Sequence, residues 1–165
     1  SGEIPMTTSR KTYVLLAAGG SAAMLFGAMV VFQRLMDLPP CAMCIWQRWP
    51  HAAAVAIGLF ALMIQGRLLP ALGALAALTT GAIGVYHFGV EHKYWEGPAS
   101  CTGSGLSGMS VNDLLAVDSG PKLVMCDQIS WELLGISMPG WNAIVSFILA
   151  FIWIKAVLAS RPTAG

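Results

Sequence analysis

Four separate stretches of about 20 mainly apolar residues, the length a helix needs to cross the hydrocarbon core of a bilayer, constrain this chain more than any other feature. They cover 13–32, about 46–64, 68–88 and about 141–159. In a chain of 165 residues they leave room for little besides a tight turn and two loops, 33–45 and 91–140. The expected fold is an all-α membrane protein: a four-transmembrane-helix bundle with two loops on one face, residues 6–165 forming a single integral membrane domain. Residues 1–5 precede Met6 and read as an expression remnant outside that domain. Composition agrees, with 56% hydrophobic residues and only 10% charged, against roughly 25% charged in a soluble domain. A formal net charge of +1 and the lack of any Lys/Arg run set nucleic acid aside as a partner and leave the lipid bilayer.

The first apolar stretch is followed by Gln33-Arg34-Leu35-Met36-Asp37, bulky and charged where a cleavage site needs small residues, so it is expected to be a retained anchor. Arg10 and Lys11 flank its start, Arg67 lies in the turn between the second and third stretches, and Lys155 and Arg161 mark the end of the fourth. The positive-inside bias makes these ends cytoplasmic. Both termini are then cytoplasmic and both loops lie outside, on the periplasmic face of a bacterial inner membrane. All four cysteines fall in those loops, facing a compartment where disulfides persist.

Cys41-Ala42-Met43-Cys44 stands at the mouth of the second stretch, behind Pro39-Pro40, which cannot extend a preceding helix and display the dithiol at the boundary. Arg48 follows Cys44 by four residues, one helical turn deeper on the same face. A helix N-terminus, a nearby guanidinium and the CxxC context would each lower the Cys44 pKa, which makes Cys44 the expected stable thiolate. Pro50 complicates the geometry, because a helix starting near Cys44 would be kinked by it and one starting at Trp49 would not. Arg48 itself costs about 2.5 to 3.5 kcal/mol at mid-bilayer and less near the interface, so it needs a reason to be there. The choices are a functional charge or an arginine snorkelling to headgroups.

Other uses of the cysteines can be weighed. Attachment of a c-type haem needs His after the second cysteine, and Ile45 is there. A structural zinc site usually takes a second closely spaced pair, whereas Cys101 and Cys126 are 25 positions apart, so no metal is expected. Two static disulfides bracing the loops remain an alternative. Against it, a Cys41 to Cys44 bond closes too small a ring to brace anything and makes better sense as a reagent. His87 and His92, near the outer end of the third stretch, could hydrogen-bond a carbonyl ligand or be ordinary interfacial residues. The long loop is punctuated by glycine and proline, and the stretch from Ser110 to Val117 reads either as a short capped helix lying on the membrane surface or as a solvated flexible loop. Gly73, Ala77 and Gly81 recur at the spacing that lets membrane helices approach closely, and Trp46, Trp49, Tyr94, Trp95 and Trp141 suit an aromatic belt.

Taken together, the run Pro40 to Arg48, the Glu91-His92 pair, Cys101 and Cys126 in a long second loop, and Leu134-Gly135-Ile136-Ser137-Met138-Pro139 before the last stretch resemble the DsbB family of disulfide bond formation proteins. The resemblance implies an enzyme, a disulfide:quinone oxidoreductase, that reoxidises a periplasmic DsbA-type thiol oxidase and passes the electrons to the membrane quinone pool, ubiquinone or menaquinone. It further implies that Cys41 and Cys44 form the quinone-linked redox disulfide and Cys101 and Cys126 the DsbA-linked one. Cys44, Arg48 and His92 would then lie at the quinone head group. The alternatives are a relative dedicated to a specialised DsbA-like partner, or a structural membrane subunit with bracing disulfides. Ala42-Met43 and the glycine-rich stretch after Cys101 are less typical of the family and bear on the partner surface.

Overall fold

A computed structural model describes residues 6–102 and 124–161. The stretch from Ser110 to Val117 lies outside the described residues. Among the described residues there are four long helices: α1 (Met6–Phe26), α2 (Ala42–Met63), α3 (Leu68–Glu91) and α4 (Met138–Ala159). α1 continues without a break as a π-helical segment, Gly27–Leu35. The principal contacts are α3 with α4, α2 with α3, α1 with α4 and α1 with α2, so the helices close into a ring.

The ring is packed the way a bilayer requires. Its buried centre is mostly alanine (Ala17, Ala54, Ala61, Ala74, Ala77, Ala150, Ala156), with Val14, Leu149 and the fully buried Trp153 filling the remaining space. Large apolar side chains such as Leu16, Phe60, Met63, Leu75, Phe151 and Leu158 point outward and are more than half exposed. Small residues inside and bulky apolar ones outside suit a lipid solvent, which offers no hydrophobic penalty for an exposed leucine but rewards close backbone approach. At Gly73 a Cβ would run into the Trp153 indole, and at Gly81 into Phe147. The α3 small-residue stripe is therefore the surface on which α4 sits.

Arg10–Leu35, Leu68–Glu91 and Met138–Ala159 are each long and apolar enough to cross a membrane. α2 is equally long, at 22 residues, but Gln47, Arg48, Pro50 and His51 sit in its first half and lower its apolarity. The helix starts at Ala42, earlier than the expected boundary at Trp46, and runs through Pro50. Cys41 is its N-cap in an extended conformation, and its sulfur accepts the Cys44 N–H at 3.4 Å. A sulfur thus occupies the place usually taken by a serine or aspartate oxygen.

A two-residue turn with positive φ at Leu134 (55°) and Gly135 (77°) joins β1 (Glu132–Leu133) to β2 (Ile136–Ser137). This is the turn geometry matched to the twist of a hairpin, and it is costly for the non-glycine Leu134. Ser137 then occupies the N-cap position of α4 without a side-chain capping bond, and the first turn holds Pro139. The hairpin delivers α4 to the end of the bundle where α2 begins and α3 ends.

Candidate redox site

Cys41, at the start of α2, and His87 and Glu91, at the end of α3, meet beneath the loop that carries Cys101 and Cys126. Cys41 and Cys44 are free, their sulfurs 3.2 Å apart. Cys101 and Cys126 are joined by a disulfide, and the Cys126 N–H donates to the Cys101 carbonyl. The loop is tethered at this point because Lys93 Nζ contacts both the carbonyl and Oδ2 of Asp127 at 3.3 Å. Cys41, Met43, Val90, Cys101 and Cys126 pack as one buried cluster. The ligand atoms of Cys41, His87 and Cys126 all lie within 4.8 Å of one another. Two cysteine pairs separated by 57 residues, from Cys44 to Cys101, are therefore in contact.

Three donors converge on the Cys41 sulfur: the Cys44 thiol at 3.2 Å, His87 Nε2 at 3.6 Å and the Cys44 backbone N–H at 3.4 Å. The Cys44 thiol first, and His87 after it, outweigh the opposing effect of burial and hold Cys41 far below the ordinary thiol range, at about 4. The sulfur on which the donors converge is thus Cys41, not the Cys44 that the sequence favoured as the thiolate. The capping position collects these donors on Cys41, and Arg48 is turned elsewhere. Its Nη1 donates to Gln33 Oε1 at 2.8 Å and its Nη2 reaches the Ala28 carbonyl at 3.5 Å. Both acceptors belong to the π-helical segment. Such segments are rare and recur at functional sites.

Arg48 and Cys44 nevertheless share two cavities. One is a narrow cleft also lined by Cys41, His87, Glu91 and Trp131. The other, of about 140 Å³, opens between the π-helical segment, α2 and the start of α4, with Ala28, Phe32, Met138 and Pro139 as apolar wall. Gln47, Arg48, His51 and Asn142 supply its polar groups. An apolar cavity with a few convergent donors is the form of a small-molecule site. Arg48 has five N–H groups and spends two on the contacts above, which leaves donors for a ligand carbonyl.

His92 faces away from both cavities among the described residues. Its ring stacks on Phe88 with centroids 4.1 Å apart, and its Nδ1 lies 2.9 Å from the Phe88 carbonyl. His87, five residues earlier, takes the place at the cysteines that was expected of His92: it is 1% exposed and touches Cys41, Cys126 and Gln47. Glu91 joins it on the same face four residues on, with Oε1 3.7 Å from His87 Nε2 and Oε2 lacking a hydrogen-bond partner among the described residues. That i, i+4 spacing was the available signal for both residues. Gln47 and Asn142 carried none.

A family model described as disulfide bond formation protein DsbB matches residues 10–156. The disulfide bond formation protein B of Shewanella amazonensis is 31% identical over 94% of this chain and 94% of its own. Those of Cupriavidus metallidurans (31% identical, 87% and 90% covered) and Pasteurella multocida (27%, 95% and 92%) are similar over nearly their whole lengths. No solved structure matches the chain. The buried meeting of two cysteine pairs at one end of a membrane-suited bundle and the match across 10–156 have the same meaning: this chain belongs to the DsbB family of disulfide bond formation proteins, multi-pass membrane thiol-disulfide oxidoreductases.

Proposed function

We propose that this protein is a disulfide:quinone oxidoreductase that reoxidises a periplasmic DsbA-type thiol oxidase and delivers the electrons to a membrane quinone. The observation that carries the reading is the contact between the two cysteine pairs, with the Cys41 and Cys126 sulfurs within 4.8 Å. A bracing disulfide has no need of a second, reduced dithiol against it.

Electrons move through the chain by thiol exchange. A donor thiolate attacks Cys101, forms a mixed disulfide and releases Cys126 as a thiolate. Cys126 attacks Cys41 of a Cys41–Cys44 disulfide, forming Cys41–Cys126 and freeing Cys44. The donor's second thiol releases oxidised donor and the Cys101 thiolate. Cys101 then attacks Cys126, restoring Cys101–Cys126 and leaving both electrons on Cys41 and Cys44. While Cys41 is bonded to Cys126 it cannot compete for the negative charge, so Cys44 becomes the thiolate at that stage. Cys44 and Arg48 line the 140 Å³ cavity whose apolar wall and spare donors fit a quinone head group. A quinone held there supplies the two-electron acceptor. Arg48 would stabilise negative charge developing on sulfur and on a carbonyl oxygen, an effect that a low-dielectric site strengthens. His92 belongs to this head-group site only if the Phe88 stack opens.

In this reading α2 is a fourth span, its polar first half facing the bundle interior, with both termini cytoplasmic and the cysteine loops periplasmic. The test of function is turnover of a reduced DsbA-type protein with a soluble quinone by the purified protein, with disulfides mapped after acid quench. With quinone limiting, Cys41 and Cys44 should accumulate as free thiols, and a Cys41–Cys126 species should be trapped on the way to them. No quinone-dependent donor oxidation would sink the reading. For the topology, a membrane-impermeant thiol reagent applied to reduced spheroplasts should label the cysteines without permeabilisation.

A further inference from the structure

His87 touches both cysteine pairs, and its surroundings dictate where its proton sits. Gln47 Nε2 lies 3.0 Å from the Met43 carbonyl, which can only accept, so that atom is the amide nitrogen. Gln47 Oε1 correspondingly accepts from Asn142 Nδ2 at 2.8 Å. The same Gln47 nitrogen lies 3.0 Å from His87 Nδ1. A donor there demands a bare lone pair on Nδ1. On the opposite side of the ring, Nε2 lies 3.1 Å from the Cys126 carbonyl, again an acceptor only, so Nε2 carries the hydrogen. Two independent carbonyls thus require one and the same neutral tautomer, and a second proton on Nδ1 would face an N–H.

The lock is anchored across the bundle. Asn142 Oδ1 accepts from His51 Nε2 at 2.8 Å, Asn142 Nδ2 also reaches Thr80 Oγ1 at 3.1 Å, and His51 Nδ1 accepts from Ser21 at 3.0 Å. α1, α2, α3 and α4 each contribute a member, and all are buried.

We propose that His87 is a catalytic hydrogen-bond donor of the relay, stabilising the Cys41 sulfur as it leaves Cys126, and that Gln47 is the positioning residue that keeps the donor tautomer in place. The proposal rests on the thiol-exchange sequence above. In the step concerned, the Cys101 thiolate attacks Cys126 Sγ, the Cys101–Cys126 bond forms, and the Cys41–Cys126 bond breaks with its electron pair on Cys41. No proton moves. The structure has the bonding pattern of that step's products: Cys101–Cys126 joined, Cys41 free, and His87 Nε2 3.6 Å from its sulfur. The same N–H holds the Cys126 carbonyl, so the departing and the remaining sulfur stay side by side. A hydrogen bond to an ionised acceptor is among the stronger ones, and a better-stabilised thiolate leaves faster.

Three measurements test this. In a Cys101→Ser/Cys126→Ser background, site-resolved alkylation should report an apparent Cys41 pKa raised by about one unit or more in His87→Leu, equivalent to about tenfold less thiolate at a given pH below it. His87→Gln, which keeps a donor, should recover part of that change, and an unaltered titration in His87→Leu would overturn the proposal. Because that variant can fail to fold, nitrogen-15 spectra of the unsubstituted protein supply an independent arm. The neutral His87 ring should be the Nε2–H tautomer, and an Nδ1–H tautomer would overturn the proposal. Finally, Cys44→Ser/Cys101→Ser leaves Cys41 and Cys126 to form a disulfide in a glutathione buffer. If that bond never forms, the relay itself fails and the proposal with it. If it forms and exchanges equally well with and without His87→Leu, the relay stands and the role of His87 does not.

Discussion

The two ends of the bundle both bury polar groups, and they do it to opposite effect. At one end the Arg10 guanidinium, 3% exposed, donates to Ser160 Oγ at 2.9 Å and to the carbonyls of Ala61, Ile64 and Gly66 at 2.6 to 3.1 Å. Arg67 adds a bond to the Ser160 carbonyl at 3.2 Å. The Ala61 and Ile64 carbonyls are among those the C-terminus of α2 leaves without intrahelical donors, and a cation is favourable there. At the other end two sulfurs are free, Glu91 Oε2 has no hydrogen-bond partner among the described residues, and three donors crowd a single capping sulfur. Where hydrogen-bonding capacity is used up, the polar burial holds the fold together. Where it is left over, bonds can be exchanged.

This contrast can be broken in order of expected effect. Cys126→Ser should abolish donor oxidation altogether while the four helices stay folded, as read by circular dichroism. Residual turnover at the wild-type rate would mean the contact between the pairs is incidental. Next comes the charge on Cys41. Its pKa is depressed to about 4, so the thiolate is present above that value and is lost as pH falls through it. Alkylation of Cys41 in the reduced protein should accordingly be nearly flat from pH 8 to pH 6 and decline only near pH 4. Cys44→Ala removes the largest cause and should bring back a rate that falls steadily below about pH 8. A steep wild-type profile in that range would return the thiolate to Cys44.

At the satisfied end, Arg10→Ala strands carbonyls of α2 and the following turn and should lower unfolding stability by about 3 kcal/mol. Turnover per folded molecule should not change. A loss of turnover without a loss of stability would erase the distinction between the ends. The smallest effects separate the two residues assigned to the head-group site from sequence. Arg48→Met should reduce quinone-dependent turnover by about tenfold or more, whereas His92→Phe, which preserves the stack on Phe88, should stay within about twofold. Equal losses would put His92 back in the cavity.

Much of this architecture was readable from the chain itself because hydropathy is a local property. Each apolar stretch declares a helix without reference to the others, and the expected spans 68–88 and 141–159 lie within α3 and α4. The cysteines announced themselves by type and spacing for the same reason. The start of α2 stayed open in the sequence, near Cys44 or at Trp49, because Pro50 argued for the later start and cysteine composition does not advertise the N-cap role that Cys41 takes. The π-helical segment had no signature either, since a shift from i+4 to i+5 bonding leaves the apolar pattern almost untouched.

The partners were settled only by folding. Arg10 meets Ser160 across 150 residues, Gln47 meets Asn142 across 95, and His87 meets Cys126 across 39. A hydrogen bond needs atoms about 3 Å apart with a fixed direction. No window along the chain contains both ends of such a bond. Periodicity could therefore mark His87 and Glu91 as sharing a helix face, but whether that face met a cavity, a loop or lipid depended on where α2 and α4 came to rest. The residue types set which chemistry was available, thiol exchange beside a guanidinium in a low-dielectric site. The packing of four helices chose Cys41 to receive the donors, His87 to supply one, and Gln47 to hold it in that state.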